Sequence, residues 1–207
     1  MRVLTHEIMN SIAPISSLAE TMSQHLDRLN PAEELEDVRI GIDTIRNRSE
    51  GLLKFAKSYR TINKVDKPQL QEIMVSDLFE NIYQLLEPTF VQKNIEFDVI
   101  LKPTRIQLFA DANLVEQVLI NLVLNAMEAV KDVEKPYITM SAIEKGGNVQ
   151  IHVSDNGIGI DTELMENIFT PFFTTRKTGS GVGLTLSKQI MLIHGGNILV
   201  ESAVGKG

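Results

Sequence analysis

The chain has 207 residues, of which 43% are apolar and 23% are charged, and it contains no cysteine. This composition is typical of a globular protein with one or two domains, and the lack of cysteine excludes disulfides, Cys-ligated zinc and thiol nucleophiles. The formal net charge of -7 argues against nucleic acid as a partner, because binding to the phosphate backbone needs clustered Lys and Arg.

The sequence also predicts that this segment has no membrane contact. No window reaches the roughly 18 consecutive apolar residues of a membrane span. The first residues lack the basic-then-apolar order of a signal peptide. Because the chain opens inside a helical pattern, we expect it to be cut from a longer protein.

Two apolar series with coiled-coil spacing open the chain. They cover residues 8–29 and 35–59, and in each the spacing alternates between three and four residues. Asn30 and Pro31 separate them as an N-cap and a first helical residue. The pattern predicts an antiparallel helical hairpin over residues 1–60. Each series forms an apolar stripe, called the seam, along its helix, and a single hairpin does not cover both seams. We therefore expect two hairpins to pair into a dimeric four-helix bundle.

His6 lies two positions before the seam residue Ile8, so the heptad directs its imidazole outward. Asn10 follows at i+4 on the same outer face. From periodicity alone, His6 is a solvated surface histidine. The other three histidines are read in the same way: His25, His152 and His194.

Residues 61–72 are polar, contain Pro68 and lack a sustained period, which predicts a linker. Over residues 73–207 helical and strand patterns alternate, so the fold class is α+β, with an α/β sandwich of a sheet and helices on one face following the hairpin. The predicted helices are 76–92, 111–131 and 183–195. The predicted strands are 95–101, 106–110, 137–144, 148–154 and 197–202. Gly146 and Gly147 predict a hairpin turn.

Three polar side chains interrupt an otherwise apolar helical stretch. Asn121, Asn125 and Glu128 stand at i, i+4 and i+7, and therefore share one helix face. One interpretation is a hydrogen-bonded polar layer inside the core. The other is a Mg²⁺ site in which amide oxygens are the protein ligands and nucleotide phosphates complete the shell.

A second motif follows the predicted strand 148–154. Asp155 at a strand end can accept a hydrogen bond from an exocyclic amine such as that of adenine, and Gly157 and Gly159 allow the backbone close to a flat base. Asp and Gly are also common turn residues, so the motif alone is weakly specific.

A glycine-rich segment precedes the last predicted helix. Gly179, Gly181 and Gly183 lead into Leu184, and glycines before a helix N-terminus form a phosphate cradle, because free N–H groups and the macrodipole favour anions there. The alternative is a glycine loop without a ligand. The spacing matches neither a P-loop nor a dinucleotide-binding fingerprint.

Taken in order, five segments resemble the H, N, G1, F and G2 boxes of the sensor histidine kinases of bacterial two-component systems. The segments are 5–10 (THEIMN), 121–126 (NLVLNA), 155–159 (DNGIG), 169–173 (FTPFF) and 179–184 (GSGVGL). The resemblance spans nearly the whole chain. The PFFTT segment and His194-Gly195-Gly196 look most like the nitrogen-regulation subgroup.

The resemblance implies that ATP, bound by the second domain, phosphorylates His6, and that the phosphoryl group passes to an aspartate in the receiver domain of a response regulator. It gives Glu7 the role of holding the second N–H of the imidazole. It gives Asn10 the role of orienting water for a phosphatase activity toward the regulator. It further implies a homodimer and the cytoplasmic part of a sensor kinase.

By the same resemblance, Asn121 and Asn125 hold Mg²⁺, with Asn125 the more direct ligand, and Asp155 reads adenine. Arg176 reaches the phosphates or is a solvated loop cation. Residues 161–182 form a lid over the nucleotide. Relatives continue with a closing strand after the last residues of this chain, so we expect a truncated catalytic core.

Two other function classes stay open. Gyrase, chaperone and mismatch-repair ATPases share similar boxes, but usually carry a Glu where this chain has Asn121. A degenerate kinase that only docks a regulator is the third class. The residue types do not decide between phosphorylation within one chain and across a dimer.

Overall fold

The computed structural model describes most of the second half of the chain and parts of the first. The described residues are 68–171, 173–176 and 181–205, with helical residues 15, 17, 19–24, 38–47, 49–51 and 53. The chain divides into two compact units, Met1–Asp66 with Ile168–Leu186 and Lys67–Asn167 with Ser187–Gly207. No helix in the described part is long and apolar enough to cross a membrane.

The strands of the described residues all lie in the second unit. The strands are β1 (Gln71–Met74), β2 (Glu96–Lys102), β3 (Gln107–Ala110), β4 (Tyr137–Lys145) and β5 (Asn148–Asp155). The helices are α1 (Val75–Gln92), α2 (Ala112–Ala129) and the short α3 (Thr162–Met165), and α4 (Gly183–Ile193) begins in the first unit and ends in the second.

Two sheets form among the described residues. β1 pairs antiparallel with β3, while β4 lies between β2, which is parallel to it, and β5, which is antiparallel. Along β4 the residues Ile138, Met140 and Ala142 are fully buried in the core with apolar residues of α1 and α2, while the residues between them are half-buried. One face of the sheet therefore packs on helices, which confirms the predicted α/β sandwich.

Over residues 68–171, 173–176 and 181–205, the predicted elements agree with the structure except at three places. The predicted strand 197–202 is wrong: this segment has no strand pairing, and Leu199 within it is 81% exposed. Its last residue contacts a loop, where Ser202 Oγ accepts from Ile160 N at 2.9 Å, and just after the segment Gly205 N donates to Ile158 O at 2.9 Å. The short elements β1 and α3 were not predicted, and β1 begins at Gln71, inside the predicted linker.

His194 is not the solvated surface residue that periodicity suggests. The ring is half-buried just after α4, where Nε2 accepts a hydrogen bond from Asp111 N and Nδ1 lies 2.8 Å from Ile190 O. His152, in contrast, is exposed on β5, as predicted. His25 lies outside the described residues.

The first unit includes the helical residues of the predicted hairpin. Residues 19–24 and 38–47 are helical, which agrees with the predicted period. The seam residues Ala19 and Ile42 are buried. Four other seam residues are exposed within the single chain: Ile15, Met22, Val38 and Ile45.

Candidate functional site

The face of α2 that carries Asn121 and Asn125 is half-buried. The helix is capped by Asp111, whose Oδ1 accepts from Leu114 N at 3.3 Å, and it packs its apolar side into the core. Glu128, which shares the polar face by spacing, forms a salt bridge with Lys131 at 3.1 Å and is 40% exposed. The polar residues are therefore not a layer inside the core.

The amide of Asn121 is hydrogen-bonded to α4. Its Nδ2 donates to Ser187 Oγ at 3.0 Å, and Ser187 is fully buried on α4. With Nδ2 donating to Ser187, Oδ1 is the atom of this amide that can bind a metal ion. Two half-buried amides one turn apart fit Mg²⁺, which prefers oxygen ligands and takes few of them from the protein when phosphates supply the rest.

Asp155 ends β5 with a half-buried carboxylate. Burial raises the pKa of Asp155, and the hydrogen bond from Gly157 N–H to Oδ1, at 2.8 Å, opposes this by lowering it. The carboxylate is thus held by its own turn. It remains an acceptor with a second oxygen for an external donor.

Gly157 packs the turn against the end of α2. A Cβ atom at this position would lie 2.7 Å from the backbone carbon of Ala129 and 2.6 Å from Asp155 Oδ1, closer than atoms can approach. Ile158 N donates to Ala129 O at 3.2 Å, and Gly159 has a φ of 71°, a conformation that favours glycine. The turn after Asp155 is therefore joined directly to the helix of the two asparagines.

Asn156 is a residue to which sequence reasoning gave no role. Its Nδ2 donates to Lys135 O at 2.8 Å, and its Oδ1 accepts from Tyr137 N at 2.8 Å. These partners lie 21 and 19 residues away along the chain, so no local pattern indicates them. The only sequence signal is an Asn beside the acid that follows the predicted strand 148–154.

The glycine motif before α4 lies in the first unit. Gly181 has a φ of 66°, and Leu186 N donates to Val182 O at 2.9 Å, so the helix starts with Gly183 and Leu184 in its first turn, where N–H groups lack helical partners. Gly179 lies outside the described residues.

The segment before that motif contains Arg176 and Phe169. Arg176 is exposed, and its backbone N–H donates to Thr174 Oγ1 at 3.1 Å. The backbone oxygen of Phe169 accepts from Thr185 Oγ1 at 3.0 Å, which fastens this segment to the first turn of α4. His6, Glu7 and Asn10 lie outside the described residues, so their predicted roles stay predictions.

Comparison with known proteins agrees with this geometry. Residues 110–207 match the family described as "Histidine kinase-, DNA gyrase B-, and HSP90-like ATPase". The signal transduction histidine-protein kinase AtoS of Escherichia coli (strain K12) is 32% identical over 208 residues, which is 100% of this chain and 33% of AtoS. The chain thus spans about a third of that relative's length.

Solved structures of a histidine kinase are also similar to this chain. The catalytic domain of histidine kinase ThkA is 34% identical with a TM-score of 0.55, covering 59% of this chain and 80% of that one. ThkA in complex with the response regulator protein TrrA is 28% identical with a TM-score of 0.58, covering 94% of this chain and 54% of that one. With its paired asparagines, its Asp155 turn and these relatives, the chain belongs to the sensor histidine kinases of two-component systems.

Proposed function

We propose that this chain is the catalytic core of a protein histidine kinase, which transfers the γ-phosphoryl group of ATP to His6 and then to an aspartate of a response regulator. The main observation that supports the proposal is the hydrogen bond that Ile158 N–H donates to Ala129 O. This hydrogen bond joins the helix of the two asparagines to the turn after Asp155. Amide oxygens and a half-buried carboxylate, which suit a metal-bound adenine nucleotide, therefore belong to one arrangement.

In this proposal residues 1–60 are the dimerisation and phosphotransfer hairpin, 61–72 the linker and 73–207 the ATP-binding domain. Asp155 accepts a hydrogen bond from the exocyclic amine of adenine. Asn121 and Asn125 hold Mg²⁺ through Oδ1, with Asn125 the more direct ligand. When bound, the ion neutralises charge on the phosphates.

We assign the phosphates to the segment before α4. Gly181, Gly183 and Leu184 offer backbone N–H groups at a helix N-terminus, which favours anions. Gly179 and Arg176 are assigned with them on the motif, and Arg176 would stabilise charge that spreads over the transferring group.

The chemistry starts at His6. A ring nitrogen forms a bond to the γ-phosphorus while the bond from that phosphorus to the bridging oxygen breaks, and ADP leaves with those electrons. Glu7 accepts a hydrogen bond from the other ring N–H and stabilises the imidazolium that forms. In the second step a carboxylate oxygen of the regulator attacks, the P–N bond breaks and His6 is regenerated. Asn10 orients water for the dephosphorylation of the regulator.

A homodimer is supported by the exposed half of the hairpin seam. Ile15 and Met22 are 46% and 52% exposed, although their heptad positions are those of core residues. Val38 and Ile45 are 47% and 49% exposed in the same way. A second copy of the hairpin would cover these side chains at the period they share.

We propose the receiver domain of a response regulator as the partner, since a similar protein, ThkA, has been solved in complex with one. Because both ATP and such regulators are found in the cytoplasm, we place this segment there. It would form the cytoplasmic portion of a longer sensor kinase, in keeping with its 33% coverage of AtoS.

Incubation of the chain with γ-³²P-ATP and Mg²⁺ tests the proposal. We expect label that is lost in acid and kept in base, as a phosphoramidate requires. His6→Ala should abolish the label, while His25→Ala, a matched control on the same predicted helix, should keep it. Chelation of Mg²⁺ should stop labelling of the unaltered chain.

Two results would overturn the proposal. Equal labelling of the His6→Ala and His25→Ala variants would show that the phosphoryl group sits elsewhere. Multiple-turnover release of phosphate without any phosphoprotein would instead indicate a clamp ATPase of the gyrase type.

A further inference from the structure

The proposed function gives Asp155 the task of reading adenine, and the structure shows what holds that residue in place. We propose that Asn156 is a positioning residue that sets the preference of this chain for adenine over guanine nucleotides. The inference rests on the proposed function, because it assumes that a nucleotide base meets Asp155.

The first observation is the way in which the β4–β5 ladder ends. Ile138 is paired with Asp155, so the next opposite pair is Tyr137 with Asn156. Asn156 N donates to Tyr137 O at 3.2 Å, as in an ordinary ladder. The return bond from Tyr137 N goes to the side-chain Oδ1 of Asn156, at 2.8 Å. The side chain thus takes the place of a main-chain carbonyl, and the backbone is free to turn away.

The second observation is that the other end of the same amide is also held. Asn156 Nδ2 donates to Lys135 O at 2.8 Å. The amide is therefore fixed at both atoms, between the two residues that flank Pro136. Although exposed, it connects the loop that enters β4 with the turn that leaves β5.

The third observation concerns the turn itself. Just beyond Asn156, Gly157 lies against Ala129 without space for a Cβ atom, and Ile158 N bonds to Ala129 O. Asp155 is consequently held between a closed ladder on one side and a turn anchored to α2 on the other. Its Oδ1 accepts from Gly157 N, so the plane of the carboxylate follows the position of the turn.

The orientation of this carboxylate decides which base is accepted. Adenine presents an amine, a donor, at the position where guanine presents a carbonyl oxygen, an acceptor. A carboxylate that cannot move accepts from the first and is repelled by the second. If the turn were released, Asp155 could rotate away from a guanine oxygen, and discrimination would fall. Loss of general structure, in contrast, would weaken both nucleotides alike.

The test is titration calorimetry of the full chain with ATP and with GTP, both with Mg²⁺, for the unaltered protein and three variants. Asn156→Ala removes both bonds of the amide. Asn156→Asp keeps an acceptor for Tyr137 N but places an oxygen against Lys135 O. Ser154→Ala is the matched control, since Ser154 is exposed on the strand one residue before Asp155.

We expect the ratio of ATP affinity to GTP affinity to fall at least about fivefold in Asn156→Ala, the equivalent of roughly one hydrogen bond. The ratio for Asn156→Asp should lie between those of Asn156→Ala and the unaltered protein. The ratio for Ser154→Ala should equal that of the unaltered protein. An unchanged ratio in Asn156→Ala would overturn the inference. If that variant does not fold, an unchanged ratio in Asn156→Asp would do so. Failure of the unaltered chain to bind either nucleotide would instead count against the proposed function itself.

Discussion

His194 Nε2 accepts a hydrogen bond from the backbone N–H of Asp111 at 3.1 Å, which joins the C-terminal end of α4 to the N-cap of α2. Nδ1 of the same ring lies 2.8 Å from Ile190 O, an acceptor. The ring is therefore the neutral tautomer with its proton on Nδ1. The carboxylate of Asp111 also accepts from Leu114 N in its own helix and from Gln69 N, at 3.3 and 3.0 Å, so two distant segments, those of Gln69 and His194, meet at this residue.

Replacement of His194 should therefore destabilise the domain. His194→Ala leaves the N–H of Asp111, a residue only 9% exposed, without its acceptor. We expect the free energy of unfolding in urea to fall by about 1–2 kcal/mol. His152→Ala, at the exposed position on β5, is the control and should change it by less than about 0.5 kcal/mol. Equal effects of the two substitutions would contradict the structural role given to His194.

Ser187 is expected to affect magnesium use through Asn121. Ser187→Ala frees the amide of Asn121 to rotate, so we expect the Mg²⁺ concentration for half-maximal autophosphorylation to rise several-fold. The measurement is a Mg²⁺ titration at saturating ATP. If the effect runs through the amide, Ser187→Ala should add little to the defect of Asn121→Ala. Additive effects of the two changes would argue for separate roles.

Asp155→Asn should raise the stability of the unliganded fold at neutral pH and weaken ATP binding. Burial raises the pKa of Asp155 in the fold. A raised pKa means that the fold favours the protonated carboxyl. The stability that the fold gains from protonated Asp155 is fully present below the ordinary pKa of Asp, and it is lost as the pH rises through the raised pKa. At neutral pH the ionised group thus weakens the unliganded fold, and Asn removes that cost.

For the same variant we expect ATP affinity to fall roughly 10- to 100-fold, because a charged acceptor is lost. Thermal unfolding without nucleotide, followed at neutral pH and again at acid pH, should show the stability gain of Asp155→Asn only at the higher pH. A gain that is independent of pH would mean that the charge of Asp155 is not its cause.

Gly157→Ala should distort the nucleotide turn. The new Cβ meets a backbone carbon of α2, which cannot give way as a flexible side chain would, so we expect a loss of about 1–3 kcal/mol of stability and a loss of ATP binding. Gly41→Ala is the matched control. Gly41 is helical with nothing within 4 Å of its added Cβ, and Ala there should be neutral or stabilising.

Mixed dimers should reveal which chain receives the phosphoryl group. One chain carries His6→Ala and the other Asn125→Ala, each with a distinct size tag. Label on the Asn125→Ala chain shows transfer across the dimer, because its own nucleotide site is impaired. An unlabelled mixed dimer, when each single-variant homodimer is also inactive, shows transfer within one chain.

The sequence predicts α1, α2 and the β4–β5 hairpin well, because each carries a long period or a clear turn. It misses β1, since four residues that begin with Gln71 and Glu72 form a strand only through their pairing with β3. Segment 197–202 has the composition of a strand, but strand structure also needs a partner. At the site, the shared helix face of the two asparagines follows from their spacing, and Asp155 is a candidate from its place at a strand end, whereas Asn156 and His194 gain their contacts from partners far along the chain.

The bond between Asp111 and His194 closes a loop with a separation of 83 residues. During synthesis, α2 would emerge from the ribosome long before the ring that completes its cap. Contacts between residues this far apart along the chain form late in folding, because closing the loop between them costs conformational entropy before the contact adds any stability. We therefore expect a nascent chain that carries both asparagines to gain nucleotide affinity only after residue 194 has left the exit tunnel.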